Sequence, residues 1–279
     1  MTDFDAPSHL KSISGTPDTK IDLGRLAVAM VSCDHEGLNV DRYFRHFEKV
    51  SDAVAARYKA LCDGGGDDDA GTCLAALKYV LSDTYDYRKT EQSFEILESA
   101  DILRVIDRGQ GGASALCLLY MDAARKNGWH IEGLNFPSHF LCRLEKGGVR
   151  YIFDPTQQCK ILEAHDLRGL LKDTLGNDAE LSSHYFDGFN GLQTVVHLCN
   201  RLKSRRIEMS DYQRALNLVE RMRVIVPDEY RLLLDAGVLY ARTGQRDEAV
   251  TCLNAYIEDA PNHMDRQAAY MLLQELCET

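Results

Sequence analysis

Apolar residues recur at helical spacing in the first part of the chain. Between residues 21 and 62 they return every three or four positions, as expected of amphipathic helices. The set comprises Leu23, Leu26, Ala27, Met30, Tyr43, Phe44, Phe47 and Val50. This pattern predicts two or three helices. Residues 1–20 are rich in Ser, Thr, Asp and Pro, and we predict a flexible N-terminal tail there.

Glycine-rich segments interrupt the helical pattern. Residues 63–71 are acidic and glycine-rich and predict a loop, which lacks the ligand pattern of a calcium-binding loop. Further helices are predicted over residues 73–81 and 100–106. The glycine-rich turn over residues 108–112 leads into a predicted helix over residues 113–126 and lacks the Gly-Lys-Ser/Thr ending of a P-loop.

Strand-like runs follow that helix. They cover residues 130–134, 139–144 and 149–153, and Gly147-Gly148 predicts a hairpin turn between the last two. From Leu167 onward the pattern is helical again. These elements predict an α+β fold with a small antiparallel sheet.

The last third of the chain contains a repeat of 34 residues. Ala215 and Ala249 are 34 residues apart, and so are Pro227 and Pro261. Residues of the second copy match the tetratricopeptide pattern, namely Leu233, Gly237, Tyr240, Ala249 and Pro261. Because an independent solenoid usually needs three repeats, we expect this pair to pack against the preceding domain. Residues 191–279 are therefore predicted to be an all-helical tetratricopeptide-like module.

Composition and charge limit the partners of the chain. Its 279 residues are 45% hydrophobic, which supports a buried core. A net charge of −11 argues against a nucleic-acid or anionic-membrane partner. One basic cluster interrupts the acidic sequence and comprises Arg201, Lys203, Arg205 and Arg206. We interpret it as a solvated helix face rather than an anion site.

The nine cysteines are scattered and include no CxxC spacing, so we predict neither a disulfide framework nor a zinc site. We expect no cofactor and no metal. The first twenty residues lack the hydrophobic region of a signal peptide, and no segment approaches the roughly 20 apolar residues of a membrane span. The sequence therefore predicts a cytoplasmic protein with reduced thiols and no membrane partner.

Candidate catalytic residues lie in two of the strand-like runs. His139 and Asp154 are 15 residues apart. In cysteine-nucleophile enzymes a histidine is the base and an acid orients its ring. The thiol is expected at the start of an upstream helix, where the helix dipole lowers its pKa. Here that helix begins with Ala113 and Ser114, so the sequence has the partners of a catalytic triad but not its nucleophile at the expected place.

The order of these features resembles a transglutaminase-like (papain-like) core followed by tetratricopeptide-like repeats, as in the SirB-type bacterial family. The residues that carry the resemblance are Leu116–Tyr120, Ala123–Arg125, Gly128, Glu132–Gly133, Pro137–Arg143 and Phe153–Pro155. The resemblance implies a transglutaminase-like domain over residues 21–190. It further implies that His139 and Asp154 are remnants of a catalytic triad and that Ala113 stands at the position of the nucleophile. It also implies that this position commonly lacks cysteine in the family.

Two other thiols are candidates for the missing nucleophile. Cys117 follows Ala113 by one helical turn, or about 6 Å along the axis, and we interpret it as a core residue. Cys159 follows Asp154 by five residues, in a segment whose structure the pattern does not predict. Ser114 would need far stronger activation than a thiol. A hydrogen bond between His139 and Asp154 could also persist for structural reasons alone.

Three functional hypotheses follow. We favour a non-catalytic transglutaminase-like protein that acts in protein–protein interaction or regulation and binds a protein or peptide partner through its C-terminal repeats. The alternative is a cysteine-dependent amide hydrolase or acyl transferase that uses His139 and Asp154 with Cys159 or Cys117. A third possibility is a sensor that binds a small ligand in the former active-site cleft.

Overall fold

The first half of the chain is mainly helical. The computed structural model describes residues 4–35, 37–90 and 98–278. Its N-terminal helices are α1 (Ala6–Ile13), α2 (Leu23–Ser32), α3 (Asp41–Asp63) and α4 (Ala70–Leu77), and α4 continues into a π-helical turn, Lys78–Thr84. The helices predicted between residues 21 and 62 are confirmed as α2 and α3, and the loop predicted after them separates α3 from α4.

Helix α1 lies where the sequence predicted a flexible tail. Its start is capped by Asp5, whose carboxylate accepts a hydrogen bond from the Ser8 N–H at 3.2 Å. Its apolar face is buried and comprises Ala6, Leu10 and Ile13. The helix packs against α2, so residues 6–13 belong to the folded core.

Helix α6 (Ala113–Lys126) is the central helix and has the predicted bounds. It follows α5 (Ile102–Arg108), and a short segment that contains Gly112 lies between the two helices. Its residues from Ser114 to Ala124 are all buried, because α3, α8 and the sheet surround it. This burial fixes the direction of the helix start, where the candidate nucleophile position lies.

The main sheet has five antiparallel strands in the order β6-β5-β4-β3-β7. The strands are β3 (His130–Phe136), β4 (His139–Lys146), β5 (Val149–Asp154), β6 (Lys160–Ile161) and β7 (Gly188–Phe189). A separate pair, β1 (Arg88–Lys89) and β2 (Gln110–Gly111), is parallel. The Gly147-Gly148 hairpin turn is confirmed, with φ angles of 62° and 76°. Both angles are in the left-handed region that favours glycine.

The two faces of the main sheet pack against different helices. Phe140, Cys142 and Phe153 belong to the large core that contains α6. Leu134 and Leu141 belong to a smaller core that contains residues of α7 (Ala164–Leu175). Side chains of neighbouring residues alternate between the faces of a strand, so the parity of a residue decides which core it enters.

Five helices complete the chain: α8 (Gly191–Glu208), α9 (Tyr212–Ile225), α10 (Arg231–Arg242), α11 (Arg246–Asp259) and α12 (His263–Glu278). Each packs against the next. The predicted α+β fold with a small antiparallel sheet and a C-terminal helical module is confirmed. The boundary between residues 190 and 191 stays a prediction. Along the described ranges, none of the helices has both the length and the apolar character needed to cross a membrane.

Asp34 connects the end of α2 with the helical module. Its carboxylate accepts hydrogen bonds from Arg206 of α8 at 2.8 Å and from Arg221 of α9 at 2.8 and 3.1 Å. The carboxylate and the Arg206 guanidinium are almost fully buried, with side-chain exposures of 6% and 5%. Because buried charges need partners, this network fixes α8 and α9 against the first part of the chain.

Candidate functional site

A cleft of about 380 Å³ lies where the start of α6, the β3–β4 turn and α8 meet. Ala113 and His139 both line it. The nucleophile position and the candidate base implied by the resemblance therefore face one shared space. A cavity of this size is within the range of small-molecule sites.

The start of α6 forms one wall of the cleft. Gly112 is the N-cap residue and provides no side-chain cap, so the N-cap residue leaves the first N–H groups of the helix available. Ala113 follows as the first helical residue, and Ser114 also lines the cleft. Ser114 is 6% exposed, and its hydroxyl has no hydrogen-bond partner among the described residues. The wall thus has hydrogen-bond donors but no thiol.

His139 begins β4 directly after the two-residue turn Pro137-Ser138. Its Nδ1 lies 2.9 Å from the carbonyl oxygen of Pro137, so the Nδ1–H donates to that oxygen. In the neutral ring this bond leaves Nε2 as an acceptor. Ser138 has a φ of 56° and also lines the cleft. The left-handed conformation of the turn thus brings both side chains to the same wall.

Asp154 ends β5 and is 1% exposed. Its Oδ1 accepts from the Thr156 N–H at 2.8 Å and from the Thr156 hydroxyl at 2.7 Å, and its Oδ2 accepts from the Gln157 amide at 2.8 Å. Within the described residues, no hydrogen bond joins Asp154 to His139, so the bond that the sequence analysis considered between them is not formed. Donors two and three residues away along the chain bond to both carboxylate oxygens instead, as is common for aspartate side chains.

The two fallback thiols lie outside the cleft lining. Cys117 is fully buried, and its Sγ lies 2.7 Å from the Sγ of Cys142. Burial raises the pKa of the Cys117 thiol and raises that of Cys159 to about 12. A nucleophilic thiol needs the opposite shift, because the thiolate is the reactive form. Among the described residues that line the cleft, none is a cysteine.

Helix α8 contributes cleft residues that the sequence analysis missed. Three residues of α8 line the cleft at successive intervals of four residues, namely His197, Arg201 and Arg205. The His197 ring stacks on Phe140 with centroids 4.5 Å apart. Burial, together with the Arg201 charge, lowers the pKa of His197 to about 4, so the ring is neutral at pH 7. The spacing of four residues was the available signal, since it places side chains on one helix face.

The basic cluster is therefore not one solvated face, as the sequence analysis proposed. Arg206 is 4% exposed, and its guanidinium donates to Asp34. The Nζ of Lys203 lies 2.5 Å from Oδ2 of Asp235. Arg201 and Arg205 instead lie on the face of α8 that borders the cleft. The physical reason is the helical period, which separates residues one or two positions apart onto different faces.

No group of three or more histidine, cysteine or acidic side chains that could hold a metal ion occurs within the described ranges. The cysteines whose side chains the structure describes are all free thiols. The polar groups that line the cleft include hydroxyl, imidazole, guanidinium and backbone groups.

Two family profiles match the chain in succession. Residues 42–200 match the family described as "Transglutaminase-like superfamily", and residues 202–274 match the family described as "Tetratricopeptide repeat". The first match contains Ala113, His139 and Asp154, and the second begins within α8. The change from one family to the other therefore occurs along a single helix, the one that contributes Arg201 and Arg205.

Several proteins are similar to this chain at about one quarter identity. A UPF0162 protein of Xylella fastidiosa (strain Temecula1) is 24% identical over 192 residues, which cover 68% of each chain. Protein SirB1 of Salmonella typhimurium is 24% identical over 159 residues, or 57% of this chain and 59% of that protein. F-box only protein 21 of Mus musculus is 25% identical over 200 residues, which cover 68% of this chain but 31% of that protein.

Proposed function

Because the chain belongs to the transglutaminase-like superfamily, we propose that it is a non-catalytic member that acts by binding another protein. One observation carries the proposal: Ala113, to which the resemblance assigns the nucleophile position, lines the same cleft as His139, and no cysteine is among the described residues that line it. Without a thiolate in the cleft, His139 has no nucleophile to deprotonate in the manner of a cysteine enzyme. The free thiols also favour a cytoplasmic location, which forms part of the proposal.

The alternative, a cysteine-dependent amide hydrolase or acyl transferase, would need Cys117 or Cys159 as its nucleophile. Burial raises the pKa of both thiols, which keeps them protonated at neutral pH. The Asp154 carboxylate would also have to orient His139, yet its hydrogen bonds within the described residues are to Thr156 and Gln157. Both features favour the non-catalytic function.

The combination of domains suggests a role in protein interaction, because tetratricopeptide repeats generally mediate contacts between proteins. We propose the C-terminal repeats as the contact region. Helix α12 exposes three large side chains, with Met264, Tyr270 and Met271 at 78%, 55% and 59% exposure. Exposed apolar side chains on one helix offer surface for such a contact.

Alkylation of the native protein tests the absence of a catalytic thiol. The full chain is treated with iodoacetamide at pH 7, and the modified cysteines are mapped by mass spectrometry over time. We expect Cys33, which is exposed, to react well ahead of Cys117 and Cys159. Rapid alkylation of Cys117 or Cys159 before Cys33 would refute the proposal and favour the hydrolase.

A binding experiment tests the role of the repeats separately. The full chain is used to capture partners, and each captured protein is then measured against purified variants. We expect Tyr270→Lys with Met271→Lys to weaken binding at least tenfold and His139→Ala to leave it unchanged. Loss of binding in a folded His139→Ala variant, with full binding by the α12 variant, would contradict the proposed contact region.

A further inference from the structure

The cleft has a charge opposite to that of the chain as a whole. The chain carries a net charge of −11, yet Arg201 and Arg205 line the cleft. No acidic side chain occurs among the described residues that line it. A concave site with cationic side chains and no carboxylate attracts anions, because its walls concentrate the local field.

The start of α6 adds donors for an anion. A helix N-terminus combines unsatisfied N–H groups with the positive end of the helix dipole. Here the N-cap residue is Gly112, which supplies no side chain that would occupy those donors. Ser114 is 6% exposed and lines the cleft, and its hydroxyl lacks a hydrogen-bond partner within the described part of the chain. Its oxygen is not among the fully buried, unpaired side-chain atoms of the described residues, so it is accessible from the cleft and can donate to a ligand there.

Arg201 supplies a charge that no described side chain neutralises. Its side chain is exposed and forms no ion pair with a described residue, whereas the Arg205 guanidinium lies 2.5 Å from Glu208. Arg201 and Arg205 follow one another at a spacing of four residues, which is about 6 Å along α8. The guanidinium of Arg201 can donate two N–H groups to an oxyanion in the bidentate geometry that arginine favours.

From these features we infer that the cleft binds the oxyanion group, carboxylate or phosphate, of a small molecule. The N–H groups at the start of α6 and the Ser114 hydroxyl donate to the oxyanion, and Arg201 supplies its counter-charge. The volume of about 380 Å³ suits a small ligand rather than a folded partner. Because α8 extends from the cleft into the tetratricopeptide match, the bound ligand contacts the helix that begins the interaction module.

Equilibrium titration of the full chain tests this inference. Inorganic phosphate and glutamate are titrated separately by calorimetry at constant ionic strength and pH 7. We expect saturable binding of at least one probe, and the probe that binds identifies phosphate or carboxylate as the preferred group. Arg201→Ala and Ser114→Ala should each weaken that binding by roughly tenfold or more, as expected for hydrogen bonds to a charged group.

Arg168→Ala is the matched control. Arg168 lies on α7, is exposed, forms no ion pair with a described residue and does not line the cleft. We expect this variant to bind the probe like the unmodified chain. The inference is wrong if neither probe binds saturably, or if Arg168→Ala weakens binding as much as Arg201→Ala does. Neither result would alter the alkylation experiment, so the two proposals fail separately.

Discussion

The Sγ atoms of Cys117 and Cys142 lie 2.7 Å apart between α6 and the main sheet. Cys142 and His139 differ in parity along β4, so their side chains leave opposite faces of the strand. The contact with Cys142 therefore holds the Cys117 thiol in the core and away from His139. This contact explains why Cys117, a candidate substitute for a nucleophile at position 113, does not face the cleft that His139 lines.

A double-mutant cycle tests that contact. Cys117→Ala and Cys142→Ala should each lower the free energy of unfolding by about 1 kcal/mol, since each removes one buried atom from a packed core. Because the two sulfur atoms touch, the double variant should lose less than the sum of the single losses. Urea unfolding measures all three variants. Strictly additive losses would show that the two side chains do not share a packing site.

Helices were the most predictable part of the fold. Helix α6 has the predicted bounds because a glycine precedes it, a continuous apolar run fills it and Gly128 follows it. Helix α1 was missed although Asp5 and Pro7 mark a helix start and its apolar residues recur at helical spacing. The abundance of polar residues around it hid that signal. Strands β6 and β7 have two residues each and form only through pairing with distant strands, which no local pattern predicts.

The candidate site was predictable only in part. The sequence located Ala113 and His139, and both line one cleft. It did not predict the local bonds of Asp154, although a threonine two residues after an aspartate is a known competitor for its carboxylate. The role of Arg201 depends on where α8 docks against the sheet, and this docking is a tertiary property that helical spacing alone does not determine.

The buried ion pairs of Asp34 predict a large loss of stability on truncation. Asp34→Ala would leave the buried guanidinium of Arg206 without its partner and should lower the free energy of unfolding by about 3–5 kcal/mol. Asp83→Ala is the control, because Asp83 and Lys78 form an exposed pair that is worth about 0–1 kcal/mol. Chemical denaturation measures both variants. Equal, small losses would contradict the structural role assigned to Asp34.

Two glycine substitutions should change stability in opposite directions. A Cβ at Gly237 would lie 2.8 Å from Cγ of Leu253, because α10 and α11 pack closely there. Gly237→Ala should therefore lower the free energy of unfolding by about 1–3 kcal/mol. A Cβ at Gly169 in α7 would meet nothing within 4 Å, so Gly169→Ala should raise it by about 0.5–1 kcal/mol. Thermal or urea unfolding separates the two effects, and a stabilised Gly237→Ala variant would refute the close packing.

Asp122 predicts a specific pH dependence of stability. Burial raises its pKa to about 6, although Lys126 partly opposes the shift. Because the unfolded carboxyl has a pKa of about 3.9, the folded chain binds the proton more tightly. The resulting stabilisation is present below about pH 4 and is lost as the pH rises through about 6.

Asp122→Asn removes this titration and keeps an acceptor for the Gly24 N–H, which lies 2.8 Å from the carboxylate. Relative to the variant, the unmodified chain should lose up to about 3 kcal/mol of unfolding free energy between pH 4 and pH 7. Urea unfolding of both proteins at several pH values measures the difference. Parallel stability curves would mean that Asp122 is ionised in the folded state across this range.

We propose that Ala113, which lines the cleft together with His139, occupies the position of a catalytic thiol at the start of α6. The most direct measurement is the pH dependence of the alkylation rate of the introduced thiol in Ala113→Cys, with Cys33 of the same protein as the internal reference. The helix N-terminus and Arg201 should lower the pKa of the introduced thiol by about one unit or more below the ordinary value of about 8.5. It should therefore react faster than Cys33 at pH 7. An introduced thiol with the same midpoint as Cys33 would contradict the account, because this position would then lack the environment of a nucleophile.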